Sequence, residues 1–144
     1  MALKNTQSGF IEALAMIMGL VMSVTLLSLN SARAKSRDAK RIADIRQIAS
    51  ALELWANDNN GTYPGSLEKL SPIYIGTIPE SPTPPDGNCS EEDSKYSYTK
   101  LEPNQFIITF CLGSTTGGYS SGKHSLTEWG IDQDPVVPKL EFKQ

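Results

Sequence analysis

The stretch FIEALAMIMGLVMSVTLLSLNSARAKSRDAKRIADIRQIASALELWANDNNG, Phe10 to Gly61, decides the fold. It contains an apolar run, Ala13 to Leu29, with no charge and no proline, and a single acid, Glu12, stands just before it. As a helix this run spans ~25 Å at ~1.5 Å per residue, the low end for a bilayer core of about 30 Å. Beyond it the pattern turns one-sided. Ile42, Ile45, Ala49, Leu52 and Trp55 recur at steps of three and four, with Ile48, Leu54 and Ala56 widening the stripe. Arg41, Asp44, Arg46, Gln47 and Glu53 are expected on the other face. Neither glycine nor proline interrupts the chain between Leu20 and Asn60, so the two runs predict one helix of roughly 45 residues. Asn59-Asn60-Gly61 predicts its stop, with Gly61 left-handed and Pro64 barring continuation.

A helix of that length outgrows any domain the remaining residues could build, so its first half needs lipid or neighbouring chains. A cleaved secretory signal fits poorly, because the run continues into Ser31-Ala32-Arg33-Ala34-Lys35 instead of an A-x-A-like site. A buried core helix fits poorly too, since a chain of 144 residues has little else to wrap around it.

From Tyr63 the composition shifts to Pro, Gly, Ser and Thr with short β-prone runs. Ser66 is placed to cap a brief helical turn from Leu67 to Leu70. Pro79 to Asp86 reads as an extended loop that neither helix nor strand accommodates. Strands are expected at Lys95 to Lys100, Gln105 to Leu112 and Ser125 to Ile131, with Gly117-Gly118 and Gly122 punctuating the last connection. The fold class is therefore α+β: a long N-terminal α-helix, and an antiparallel head sheet of about three strands over the Ile42/Ile45/Leu52/Trp55 face.

Ser28 to Pro64, SLNSARAKSRDAKRIADIRQIASALELWANDNNGTYP, resembles the helix and loop of type IV pilin-like proteins of the type II secretion G family, the pseudopilin-like pilins. KYSYTKLEPNQFIITFCLG and GGYSSGKHSLTEWGI resemble the strand pairs of that family's head. The resemblance implies four parts: a prepilin leader at 1–9, a membrane and filament-core helix at 10–30, an amphipathic helix at 31–60, and a globular head with a C-terminal tail at 61–144. It implies processing between Gly9 and Phe10 by a prepilin peptidase and N-methylation of Phe10. It also implies storage in a bacterial inner membrane with the head extracytoplasmic. Pilus or secretion assembly machinery would then polymerise the chain into a helical homo-oligomer at the cell surface. Glu12 would serve assembly, because a carboxylate in hydrocarbon needs a cation or a proton, and the free amine of a neighbouring Phe10 supplies one.

The start of the chain departs from the family pattern, and the basic residues beyond the apolar run conflict with the positive-inside rule, although family members carry similarly charged helices there. The usual start G-F-T-L-I-E carries the acid as fifth residue of the mature chain, whereas Gly9-Phe10-Ile11-Glu12 makes it the third. That moves it ~3 Å and about 200° around the helix, which implies a differently seated neighbour, service to its own N-terminus, or a cut elsewhere. Arg33, Lys35, Arg37, Lys40 and Arg41 follow the apolar run while only Lys4 and the amino terminus precede it, and the positive-inside rule alone would leave the head in the cell. Asp38 and Asp44 offset part of that charge at three- and four-residue spacings, so the cluster reads as a solvated, self-paired face or a contact with subunits or headgroups.

Cys89 and Cys111 are the only cysteines. The filament reading favours a disulfide between them, worth about 3 kcal/mol in the chain-entropy picture; two free buried thiols in a reducing compartment are the alternative. No enzyme is expected. His124 is the sole histidine and no H-E-x-x-H, G-x-S-x-G or Walker-type loop occurs, so catalytic residues, cofactors and metal sites are all read as none. Asp132-Gln133-Asp134 lacks a ligand-rich partner loop for calcium. From Gly61 onward six Lys/Arg face eleven Asp/Glu, a balance of −5, which disfavours nucleic acid as a partner of the shaft. The alternative of another class is a non-polymerising, single-pass membrane-anchored binding module.

Overall fold

The computed structural model describes residues 4–132; the side chains of residues 4–8, 10, 19–28 and 132 lie outside what is described, as do the first three residues and the expected tail, 135–144. The elements are one helix α1 (Lys4–Asp58), a short 3-10 helix (Leu67–Leu70) and four strands: β1 (Ser97–Glu102), β2 (Gln105–Leu112), β3 (Gly122–Thr127) and β4 (Gly130–Asp132). The architecture is α+β, with the strands in one antiparallel sheet of order β1-β2-β3-β4. Two units divide between Ala34 and Lys35.

At 55 residues α1 is longer than expected, because it runs through Gly9 and Gly19 and takes in most of the proposed leader. No proline stands there, and a helical glycine costs only about 1 kcal/mol relative to alanine. The other end lies where expected but uses two left-handed residues, Asn60 (φ 54°) and Gly61 (φ 75°). The Gly61 N–H returns to the Ala56 carbonyl at 2.8 Å, and the Asn59 side-chain amide donates to the Trp55 carbonyl at 2.8 Å.

In the unit beginning at Lys35, the helix buries Ile42, Ile45, Ile48, Ala51 and Leu52. β2 supplies the opposing layer through its alternating Phe106, Ile108, Phe110 and Leu112, and Leu126 of β3 joins them. Leu67, Leu70 and Ile75 complete the cluster. Burying each such side chain is worth about 1.5–3 kcal/mol. Ile48 is central to this core and Leu54 is exposed, so the apolar stripe is narrower than its sequence suggested. The 3-10 turn forms at Leu67, but Ser66 gives it no side-chain cap.

The third expected strand is two. Thr127 pairs with Gly130 across a tight Glu128-Trp129 turn, in which Gly130 takes φ 122°, so the chain reverses and β4 pairs back onto β3. β1 starts two residues later than expected and ends at Glu102, ahead of the Pro103-Asn104 turn. Between β2 and β3, Gly117 and Gly118 form the tip of a small hairpin closed by reciprocal Thr116 and Tyr119 backbone bonds, both with positive φ.

Candidate functional site

The residues of the expected processing and assembly region all lie in α1. Gly9 is exposed and a Cβ there would meet nothing, so the bond to Phe10 sits within accessible helix. Glu12 is exposed, with no partner among the described residues. Around it the apolar side chains are uncovered: Ile11, Leu14, Met16, Ile17 and Met18 are 43–69% exposed, on several sides of the helix. Among the described residues no helix is long and apolar enough to cross a membrane. The remainder of the Ala13 to Leu29 run, residues 19–28, lies outside the described side chains, and the membrane reading rests on it.

The head is held to its helix by an ionic cluster that the sequence placed in solvent. Arg41, expected on the polar face, is fully buried, as is Asp38; Asp44 is buried as well. A buried guanidinium needs acceptors for all five N–H groups, and Arg41 finds five. Its Nη1 donates to Asp38 Oδ1 (2.7 Å) and Asp86 Oδ2 (3.0 Å). Its Nη2 donates to the carbonyls of Pro82 (2.8 Å) and Pro84 (3.3 Å), and its Nε to Ser81 Oγ (3.3 Å). Four of the five come from the 81–86 loop. Asp38 also accepts from the Gly113 and Ser114 N–H groups (3.0 and 2.9 Å) and from Ser114 Oγ (2.8 Å), tying the end of β2 to the same helical turn.

Asp86 is the second anchor. Arg37 grips it with Nε at 2.9 Å and Nη2 at 2.5 Å, a two-pronged contact matched to carboxylate geometry. The Arg37 bonds, reinforced by Arg41, hold the Asp86 carboxyl below the usual carboxylate range against the opposing effect of burial. The expected i,i+3 and i,i+4 charge pairs do form, as Asp38–Arg41 and Lys40–Asp44 (2.6 Å). The first is buried on both sides; in the second Asp44 is buried while Lys40 stays exposed. Tyr96 OH donates to Asp44 at 3.0 Å, and burial, then that carboxylate's charge, pushes its pKa up.

Two further devices hold the loop. Cys89 and Cys111 form the expected disulfide, with Cα atoms 5.9 Å apart. Gly87 (φ 59°) lies directly on the backbone of Gly113, and a Cβ on either residue would collide with the other segment. At the opposite end of the head, Tyr98 OH donates to the Pro64 carbonyl (2.6 Å) and Lys100 Nζ to the Tyr63 carbonyl (2.7 Å). Tyr63 meets Phe106 edge-on at 4.6 Å. Burial, then the nearby Tyr63, pushes Tyr98 up to about 12.

His124 packs in β3 between Phe110 and Tyr119, with Nε2 2.9 Å from the Ser120 carbonyl. Among the described residues no group of three His, Cys, Asp or Glu could hold a metal ion; Asp134 lies outside them. The sequence signal missed for the cluster was its phase. Counting back from Leu52 by steps of four, three, four and three gives Ile48, Ile45, Arg41 and Asp38, so the buried charges continue the core stripe. No protein-family model, no curated protein and no solved structure matches this chain.

Proposed function

We propose that this chain is a structural subunit of a type IV pilus-like filament or pseudopilus, stored in a membrane and polymerised through its N-terminal helix. The observation that carries the reading is the division of labour along α1. Up to Met18 the described apolar side chains are uncovered; from Asp38 onward the same helix is the floor of a head locked by ion pairs and a disulfide. Exposed apolar surface of that extent is stable only against lipid or other chains. Identical helices supply such a surface in an assembled shaft, and trading lipid for neighbours keeps the apolar area covered throughout. The disulfide supports an extracytoplasmic head. Glu12, exposed and without a partner among the described residues, takes a neighbour's N-terminal amine as its counter-charge, and a prepilin peptidase exposes that amine on Phe10.

Intact mass and N-terminal peptide mapping of protein sheared from the cell surface test this. A mature chain starting at N-methylated Phe10, with Cys89 and Cys111 joined, supports the subunit reading. A chain starting at Met1, confined to membranes as a monomer with free thiols, overturns it in favour of an anchored binding module. Glu12→Ala is expected to abolish assembly while leaving the head folded; normal filament yield removes Glu12 from the mechanism.

A further inference from the structure

Trp129 is 91% exposed at the tip of the β3–β4 turn, the most exposed large apolar side chain of the described residues. Its backbone N–H is tied to Thr127 Oγ1 at 3.3 Å, so the ring stands on a braced turn. By the start of β1, at the end of the strands away from the β1–β2 turn that Trp129 neighbours, lies an open hollow of about 430 Å³ lined by Pro82, Pro84, Pro85, Glu91, Ser94 and Lys95. Ser94 is 94% buried, and its Oγ has no hydrogen-bond partner. A buried hydroxyl without a partner is costly, which marks the hollow as incomplete.

We propose that Trp129 of one subunit seats in the proline-lined hollow of a second copy of this chain, a lateral head contact that sets the register of the filament. The inference rests on the filament reading. Knob and hollow lie at opposite ends of the strands, Trp129 beside Leu101 and Gln105 at the β1–β2 turn and the hollow by the start of β1, so a chain cannot satisfy its own; copies join head to tail, and such a contact propagates instead of closing into a pair. The chemistry matches. Rigid proline rings offer an apolar seat to the indole face, and the indole N–H is a donor that needs an acceptor once buried, which Ser94 Oγ becomes on turning toward it. Glu128, next to the knob, meets Lys95 on the rim, while Glu91 repels it from the other side and fixes the direction of entry. A seated tryptophan removes about 150–250 Å² from water, well short of the ~1,200 Å² of a self-sufficient interface. The contact therefore selects register among chains already held by their helices.

The test uses full-length chains assembled into filaments, with benzoylphenylalanine at position 129 and a mixture of unlabelled and nitrogen-15-labelled protein. Irradiation is expected to join position 129 to the 82–95 peptide of the other isotopic population. Trp129→Ala and Lys95→Glu should each lower the assembled fraction several-fold, and Glu128→Lys combined with Lys95→Glu should restore it. Assembled filaments with crosslinks elsewhere, or charge-swapped pairs that assemble no better than Lys95→Glu alone, overturn the contact and leave the filament reading standing. A wild-type chain that never assembles overturns both.

Discussion

Replacing Arg41 by lysine keeps the charge and removes the fork, which makes it a sharp probe of the buried cluster. Arg41 makes five hydrogen bonds to five acceptors. An ammonium has three donors, so at least two of those acceptors lose their partner. At about 1.5 kcal/mol for each hydrogen bond made by a charged group, Arg41→Lys should cost about 3 kcal/mol. A side chain on a solvated helix face would change stability by less than about 0.5 kcal/mol. The assay is urea unfolding of the full-length chain in detergent, followed through the fluorescence of half-buried Trp55. With a slope of about 1.5 kcal/mol per molar, the midpoint should fall by about 2 M, whereas the exposed Arg46→Lys should leave it unmoved. A shift for Arg41→Lys no larger than that of Arg46→Lys would show that the guanidinium does not make these bonds.

Gly113→Ala places a Cβ inside the backbone of Asp86 and should destabilise the head, while Gly65→Ala, in open space, should not; thermal midpoints of the two variants decide this. Joint Cys89→Ser and Cys111→Ser substitution reopens a sequence separation of 22 and should cost about 3 kcal/mol in the same urea assay. Asp86 is held below its ordinary value near 3.8, so its contribution is fully present above that pH and disappears as pH falls through the folded value. Asp86→Asn should flatten the acid limb of a stability profile, and an unchanged acid limb would assign it to other groups. Tyr98 shows the opposite sign. Its proton is held up to about 12 against an ordinary 10, so its contribution is intact below pH 10 and is lost as pH rises toward 12. Tyr98→Phe should reduce the alkaline loss of stability between those values.

What could be read from the sequence was whatever depends on local pattern. The helix, its stop at Asn60-Gly61, the β2 alternation and the breaker-rich loop all follow from residues acting on near neighbours. The position of Arg41 does not, because its burial depends on a loop forty residues away that folds across the helix. A charge on the core phase of a helix is read as solvated until acceptors are known, and here two of the five are carbonyls of a proline run. Those carbonyls were the overlooked half of the signal: a segment rich in proline has few N–H donors of its own but keeps every C=O, so it suits a buried multidonor cation. The β3–β4 reversal was missed for a smaller reason. Thr-Glu-Trp-Gly has β-prone flanks, and only the φ of Gly130 converts it from continuous strand to turn.

The Cys89–Cys111 bridge also limits how far the chain can be drawn out under load. With a sequence separation of 22, the bridge withholds roughly 70 Å of contour length from any pull that unravels the head. In the proposed fibre each subunit would stretch in a shorter step than its chain length implies. Reducing agent should lengthen the unravelling step of a single stretched chain by that amount.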